Sequence, residues 1–470
     1  MKKKIISGIV LCILLLNPFS FTFAKSKVIY EKSEGLAKQF INNSLNDENW
    51  KGKNPYINGD GKYFYTDDDK YASYIEFKIS CDNNIDCGFI LVNSDSNDVS
   101  VPISSTSGIG PGELLTIQNN EIRKNNGLKN NNKNNKLYYF SPFDQYSEDL
   151  ETGNILSIQP EEDINNIIKD DNNLTTGDKQ NKIQNNKTEL KQKILNLKEK
   201  AKEYKKSEDF KQKKNEIQNQ IMKIPKDEFV INNLNIANAG EIVGVMDYLP
   251  PSYASNTFVP GLSYSGCSGK VPCYEQFPTT YNGQTCLVGC VPTAYAMIYG
   301  YYDRKGQFPN LISGTVPTVN NTTIQNLAID LGKNYMGTYC NGNIGVTSTS
   351  NGTLSIQYAK NKGYINSTAT AIGSTNLNIL FNSIKSEINS GRPLVGGDGN
   401  HAMVIYGYYM TADSSIKIIR VNLGLGNSYV LGSASGLYYR TTAIDYNLNS
   451  IYYESPARSL NSIVKILISN

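Results

Sequence analysis

His401 is the only histidine in the 470-residue chain, which also carries eight cysteines. A single imidazole excludes metal sites built from several histidines and any catalytic device that needs two. It leaves one base that could serve one nucleophile. The candidate nucleophile is Cys290, in the run QTCLVGCVPTAYAMI that spans residues 284–298. Gly289 lets the backbone turn closely just before the thiol. Pro292 suits the first turn of a helix, where its missing N–H is no loss. Ala294, Ala296, Met297 and Ile298 then continue as a helix. Cys290 therefore opens a predicted helix, where the partial positive charge of the N-terminus favours a thiolate. His401 follows the glycine-rich run GGDGN (396–400) and opens the strand pattern HAMVIYG. An imidazole acting on a thiol needs a third group to orient it. The predicted strand Ile416–Val421 ends at Asn422, and a two-strand hairpin brings Asn422 beside His401. The plainer readings are a structural histidine and a strand-end turn asparagine.

The predicted elements around these residues form two groups. Helical stretches fall at Val291–Tyr302, Thr322–Leu331, Leu354–Lys362 and Leu377–Ser390. Strands fall at Met403–Tyr409, Ile416–Asn422 and Leu437–Tyr439, with extended segments toward Val464–Ile468. Helices first and strands later describe an α+β domain rather than an alternating α/β one. Upstream, Lys62–Tyr65, Tyr74–Ser80 and Gly88–Asn93 read as strands. Residues 119–136 are so rich in asparagine that they read as a loop or linker. Residues 146–186 are polar and acidic. Thr188–Met222 reads as a solvated connecting helix, with Leu190, Ile194, Leu197, Ala201 and Tyr204 at helical spacing.

Charge density divides the chain. Lys25–Gly244 holds 30 basic and 34 acidic residues, and Val245 to the end holds 13 and 9. That fall, from over a quarter of positions to about a tenth, argues for separate units: 25–145, a connector at 146–240, and 241–470. The net charge of +3 gives no electrostatic case for nucleic acid. Lys2, Lys3 and Lys4, the short apolar run Ile5–Leu16 and the small-residue site at Thr22-Phe23-Ala24 form a signal-peptide pattern, cleaved after Ala24. The expected product is exported to a place where disulfides persist, with no membrane span.

Seven cysteines then remain, and the odd count implies a free or intermolecular thiol. Cys81/Cys87 and Cys267/Cys273 suit small local loops. Cys286 and Cys340 could then pair and leave Cys290 free, although exchange between Cys286 and Cys290 stays conceivable. A zinc site from Cys286, Cys290, Cys340 and His401 lacks a compact knuckle. No cofactor is expected.

The runs QTCLVGCVPTAYAMIYGYYD, GNHAMVIYGYY and VNLGLGNS resemble the papain-like cysteine peptidases of bacteria, nearest the streptopain and C39-like groups. The resemblance covers roughly residues 245–470. It implies a papain-like domain with an N-terminal helical part and a C-terminal antiparallel sheet. It makes Cys290 the nucleophile, His401 its partner, Asn422 the orienting residue and Gln284 the oxyanion-hole glutamine. Leu423 and Leu425 stand where streptopain-like enzymes commonly carry tryptophans. The first half loosely resembles secretory prodomains through DGKYFYTDDDKYASYIEFKI and CGFILVN. The expected protein is a secreted cysteine endopeptidase made as a zymogen. Its substrate is protein or peptide, and its own propeptide acts as an intramolecular inhibitor that covers the cleft. Cleavage is expected between about Lys213 and Gly244. A Cys-His cell-wall amidase, a transglutaminase-like acyl transferase and a non-catalytic module on the same fold are the competing classes.

Overall fold

Aromatic and β-branched residues set the strands of the first unit, and the computed structural model places them at Lys62–Tyr65, Tyr74–Cys81 and Ile85–Asn93. The structure describes residues 30–67, 72–94, 101–158, 176–215, 255–259, 270–410, 417–430, 437–439, 444–448 and 460–470, with interruptions of one to three residues in some stretches. The signal-peptide pattern, Cys267 and most of the expected cleavage window lie outside these residues.

Two expectations for the first unit and the connector are corrected. Residues 119–136 are not a loop throughout: the helix Pro111–Asn125 runs through their start and the strand Asn135–Tyr139 takes up their end. Pro111 opens that helix, and Arg123 and Lys124 close it with favourable charge. Its asparagine-rich face is held by polar contacts instead of apolar burial. Asn119 Nδ2 donates to Asn135 Oδ1 at 2.6 Å and to Ser147 Oγ at 3.2 Å, and Arg123 pairs with buried Asp149. The connecting helix is likewise not simply solvated. Thr176–Lys206 is one helix, and Leu190, Ile194 and Leu197 pack on Tyr138, Phe140, Tyr146 and Ile155. The polar stretch after 146 begins with two strands, Gln145–Asp149 and Ile155–Ser157.

In the second unit the helix Cys290–Arg304 is buried nearly all round. It packs with Leu377–Asn389 against the strand Ala402–Met410. That strand pairs antiparallel with Leu394–Gly397 and with Ser255–Phe258 on one side and with Lys417–Asn422 on the other. Among the described residues, fifteen strands form a single sheet. Its pairs are antiparallel except for Lys62–Tyr65 against Asn135–Tyr139. The architecture is mixed, with helices and several sheets.

The change in charge density is not a break in the sheet. Lys417–Asn422 pairs with Ile444–Asn447, which pairs with Ile103–Ser105 of the first unit. Ile90, Ser104, Asp445, Arg420, Gly407 and Phe258 stand opposite one another in successive strands. No helix among the described residues is long and apolar enough to cross a membrane.

Candidate active site

The nucleophile candidate sits at a backbone turn that only glycine permits. Gly289 caps the helix Cys290–Arg304 with φ +98°, and a Cβ there would stand 2.5 Å from Gly345 O. Gly345 belongs to a small hairpin, Tyr339–Asn341 with Ile344–Val346. A Cβ on Gly345 would in turn stand 2.4 Å from Leu287 O. Two glycines therefore let one hairpin lie backbone to backbone against the residues that lead into Cys290. The bridge Cys286–Cys340 ties the same two pieces together, with Cα atoms 5.7 Å apart. Cys81–Cys87 closes a loop in the first unit. Cys273 is disulfide-bonded, and Cys267, the partner expected for it, lies outside the described residues. Among the described residues Cys290 is the free cysteine, and it is half-buried.

His401 is buried just before the strand Ala402–Met410. Buried Asp398 sets its backbone: Oδ1 accepts from the N–H of Asn400 at 2.9 Å and of His401 at 2.7 Å. The ring's Nε2 lies 2.8 Å from the backbone oxygen of Leu423. Asn422 is the chain neighbour of the Leu423 carbonyl that meets the imidazole, but its amide makes other bonds. Oδ1 accepts from the N–H of Gly424 at 2.9 Å, and Nδ2 donates to Pro272 O at 3.2 Å. These bonds fix the corner that presents the Leu423 carbonyl. Gly424 (φ +70°) then meets the cysteine helix, since a Cβ there would stand 3.3 Å from Thr293 Cγ2 and 3.5 Å from Met297 Cε. Thr293 lies one turn after Cys290, and its Oγ1 donates to Gly289 O at 2.8 Å. The histidine corner and the cysteine turn thus share one wall.

Gln284 belongs to the hairpin that leads into Cys290. It is exposed, at the tip of the hairpin Pro278–Tyr281 with Gln284–Leu287. The turn residues Asn282 and Gly283 both have positive φ, 50° and 81°. This is the Asn-Gly signature of a two-residue hairpin turn. The Cys340 sulfur rests 3.1 Å from the Gln284 backbone oxygen. This is a contact rather than a hydrogen bond, because a disulfide sulfur has no proton. A different glutamine lies between the two halves of the site. Gln276 is 7% exposed. Its neighbour Glu275 bridges to Leu425, and its neighbour Phe277 accepts from the N–H of Val288 at 2.9 Å. Sequence reading missed Gln276 and Asp398. The Asp-Gly pair before His401 was a legible turn signal, but Gln276 had only its place in a run of mixed residues.

Residues 269–421 match the Peptidase_C39 like family. The match spans Gln276, Gln284, Cys290 and His401 and ends one residue before Asn422. No curated protein matches the chain. The match supports a C39-like cysteine peptidase family for residues 269–421, about a third of the chain.

Proposed function

We propose that the protein is an exported cysteine endopeptidase, made as a precursor, that cleaves peptide bonds through Cys290 and His401. The observation that carries this reading is the shared wall of the site. A free thiol opens a helix, and the corner that packs on the first turn of that helix also receives the only imidazole of the chain. The thiol gives its proton to the ring, and the sulfur attacks the peptide carbonyl carbon. The resulting oxyanion is met by the N–H of Cys290 and a glutamine amide. The ring then returns the proton to the leaving amine, which departs and leaves a thioester. Water attacks the thioester with the ring as base; the acid leaves and the thiol is restored. Asn422 acts as a positioning residue, through the Leu423 carbonyl. Gln284 is the glutamine that the resemblance to papain-like peptidases suggests, and Gln276 is the one that burial between the two loops suggests.

Export and processing rest on the Lys2–Ala24 pattern and on the charged connector before Gly244. Mass mapping of the mature protein tests both. The chemistry is tested by incubating the purified protein with casein and with peptidoglycan, with and without a thiol alkylator. Casein cleavage that the alkylator abolishes is the expected result. Peptidoglycan cleavage alone would make the protein a wall amidase, and no cleavage of either would make it a binding module.

A further inference from the structure

The two units meet along the strand that ends in Asn422. Arg420 lies two residues before Asn422 and is 1% exposed. Its Nη2 lies 3.1 Å from Oδ2 of Asp47, which is itself buried in the first unit. Tyr409 Oη of the neighbouring strand donates to the same oxygen at 3.1 Å. Asn49 N–H donates to Asp47 Oδ1 at 2.9 Å, and Asn49 Nδ2 reaches Thr106 Oγ1 at 2.9 Å. Beside this pair the sheet itself crosses between units, through Ser104 opposite Asp445 and Ile103 opposite Tyr446. One continuous cluster of buried apolar side chains contains Phe89 and Ile103 of the first unit together with Ile419 and Val421 of the Asn422 strand.

A segment that is shed after cleavage would leave three costs behind. Arg420 would lose the Asp47 carboxylate from a buried site. Ile444–Asn447 would present an open strand edge. Part of a shared apolar core would meet water. We infer that the first unit is a retained subunit: after cleavage of the connector it stays bound to the strand Lys417–Asn422 and supports the corner that holds His401. Cleavage would then change what the connector does without dissociating the first unit. The inference rests on the peptidase reading only for what the retained unit supports. The association itself is independent of activity.

The test places a site-specific protease sequence between Gly240 and Glu241 of the full-length Cys290→Ala chain, which cannot process itself. The chain is cut, then sized under native conditions and weighed. The two fragments are expected to co-elute at the mass of the uncut chain. Asp47→Ala in the same background is expected to weaken their association by at least about 30-fold, the lower range for truncating a buried hydrogen-bonded charge pair. The pair Asp47→Arg with Arg420→Asp is expected to recover part of that loss. Fragments that separate in the chain without interface substitutions overturn the inference. Fragments held equally tightly with Asp47→Ala overturn its assignment to this contact. Because every arm reads association, a protein without peptidase activity leaves the test intact.

Discussion

A carbonyl oxygen can only accept, so the contact between His401 Nε2 and Leu423 O makes Nε2 the protonated nitrogen of the neutral ring. Nδ1 is then the basic nitrogen, the one that would take the thiol proton. Cys290, His401 and the Asn422 corner were legible because each stands where a local pattern changes: glycine into helix, glycines into strand, strand into turn. The bond from the ring to Leu423 O was not legible, since a backbone carbonyl leaves no mark in residue types. The two glutamines differ in the same way. The resemblance to papain-like peptidases selected Gln284, whereas burial selects Gln276. If Gln276 supplies the oxyanion donor, Gln276→Ala lowers kcat by about 10²–10³ with little change in KM. Gln284→Ala then costs less than about tenfold, and steady-state kinetics of the two variants decides between them. The reverse ranking returns the role to Gln284.

Among the elements, the disulfide-tied hairpin and the helix at Pro111 make separate predictions. Cys286–Cys340 closes a ring across a sequence separation of 54 residues. The chain-entropy account of such a ring gives roughly 4 kcal/mol. Cys340→Ser together with Cys286→Ser is therefore expected to lower stability toward that value. It should also slow turnover, because Gly345 would no longer be held against Gly289; denaturant unfolding and casein cleavage measure the two effects. The helix Pro111–Asn125 has no side-chain cap of its own, and Glu76 from the neighbouring strand accepts the N–H of Gly112 at 2.8 Å and of Glu113 at 2.9 Å. Burial pushes the Glu76 carboxyl up to about 7, against the pull of those two bonds. A carboxyl raised in the folded state binds more protons there than in the unfolded chain. Its contribution to stability is whole below the usual carboxylate range and is lost as pH rises through 7. Between pH 5 and pH 8 this group alone should lower stability by on the order of 3 kcal/mol. Glu76→Gln should flatten that slope in unfolding curves of the Cys290→Ala chain, and an unchanged slope would contradict the assignment. The strands here were legible from alternation and β-branched residues. The asparagine-rich helix was not, because its buried face is satisfied by Asn135, Ser147 and Asp149 from later in the chain.

Across the whole molecule, composition and topology describe different things. Charge density falls near Gly244, yet the sheet runs on through Ser104, Asp445 and Arg420. Charge density reports how much surface each stretch presents to water. Strand pairing is set by edges far apart in sequence, so a reading along the chain found two units without finding their seam. Asp47 shows the same limit. Burial tends to raise its carboxyl, but Arg420 and the bonds from Asn49, Thr106 and Tyr409 outweigh this and hold it below its ordinary value. Nothing near Asp47 in the sequence names Arg420. This scaffolding serves catalysis only if the thiol at its focus reacts. The most direct measurement is the rate of casein hydrolysis by purified Cys290→Ser beside the unsubstituted protein, with the folds matched by circular dichroism. Covalent catalysis by Cys290 predicts a loss of at least roughly 10³-fold. Undiminished hydrolysis by Cys290→Ser would contradict it.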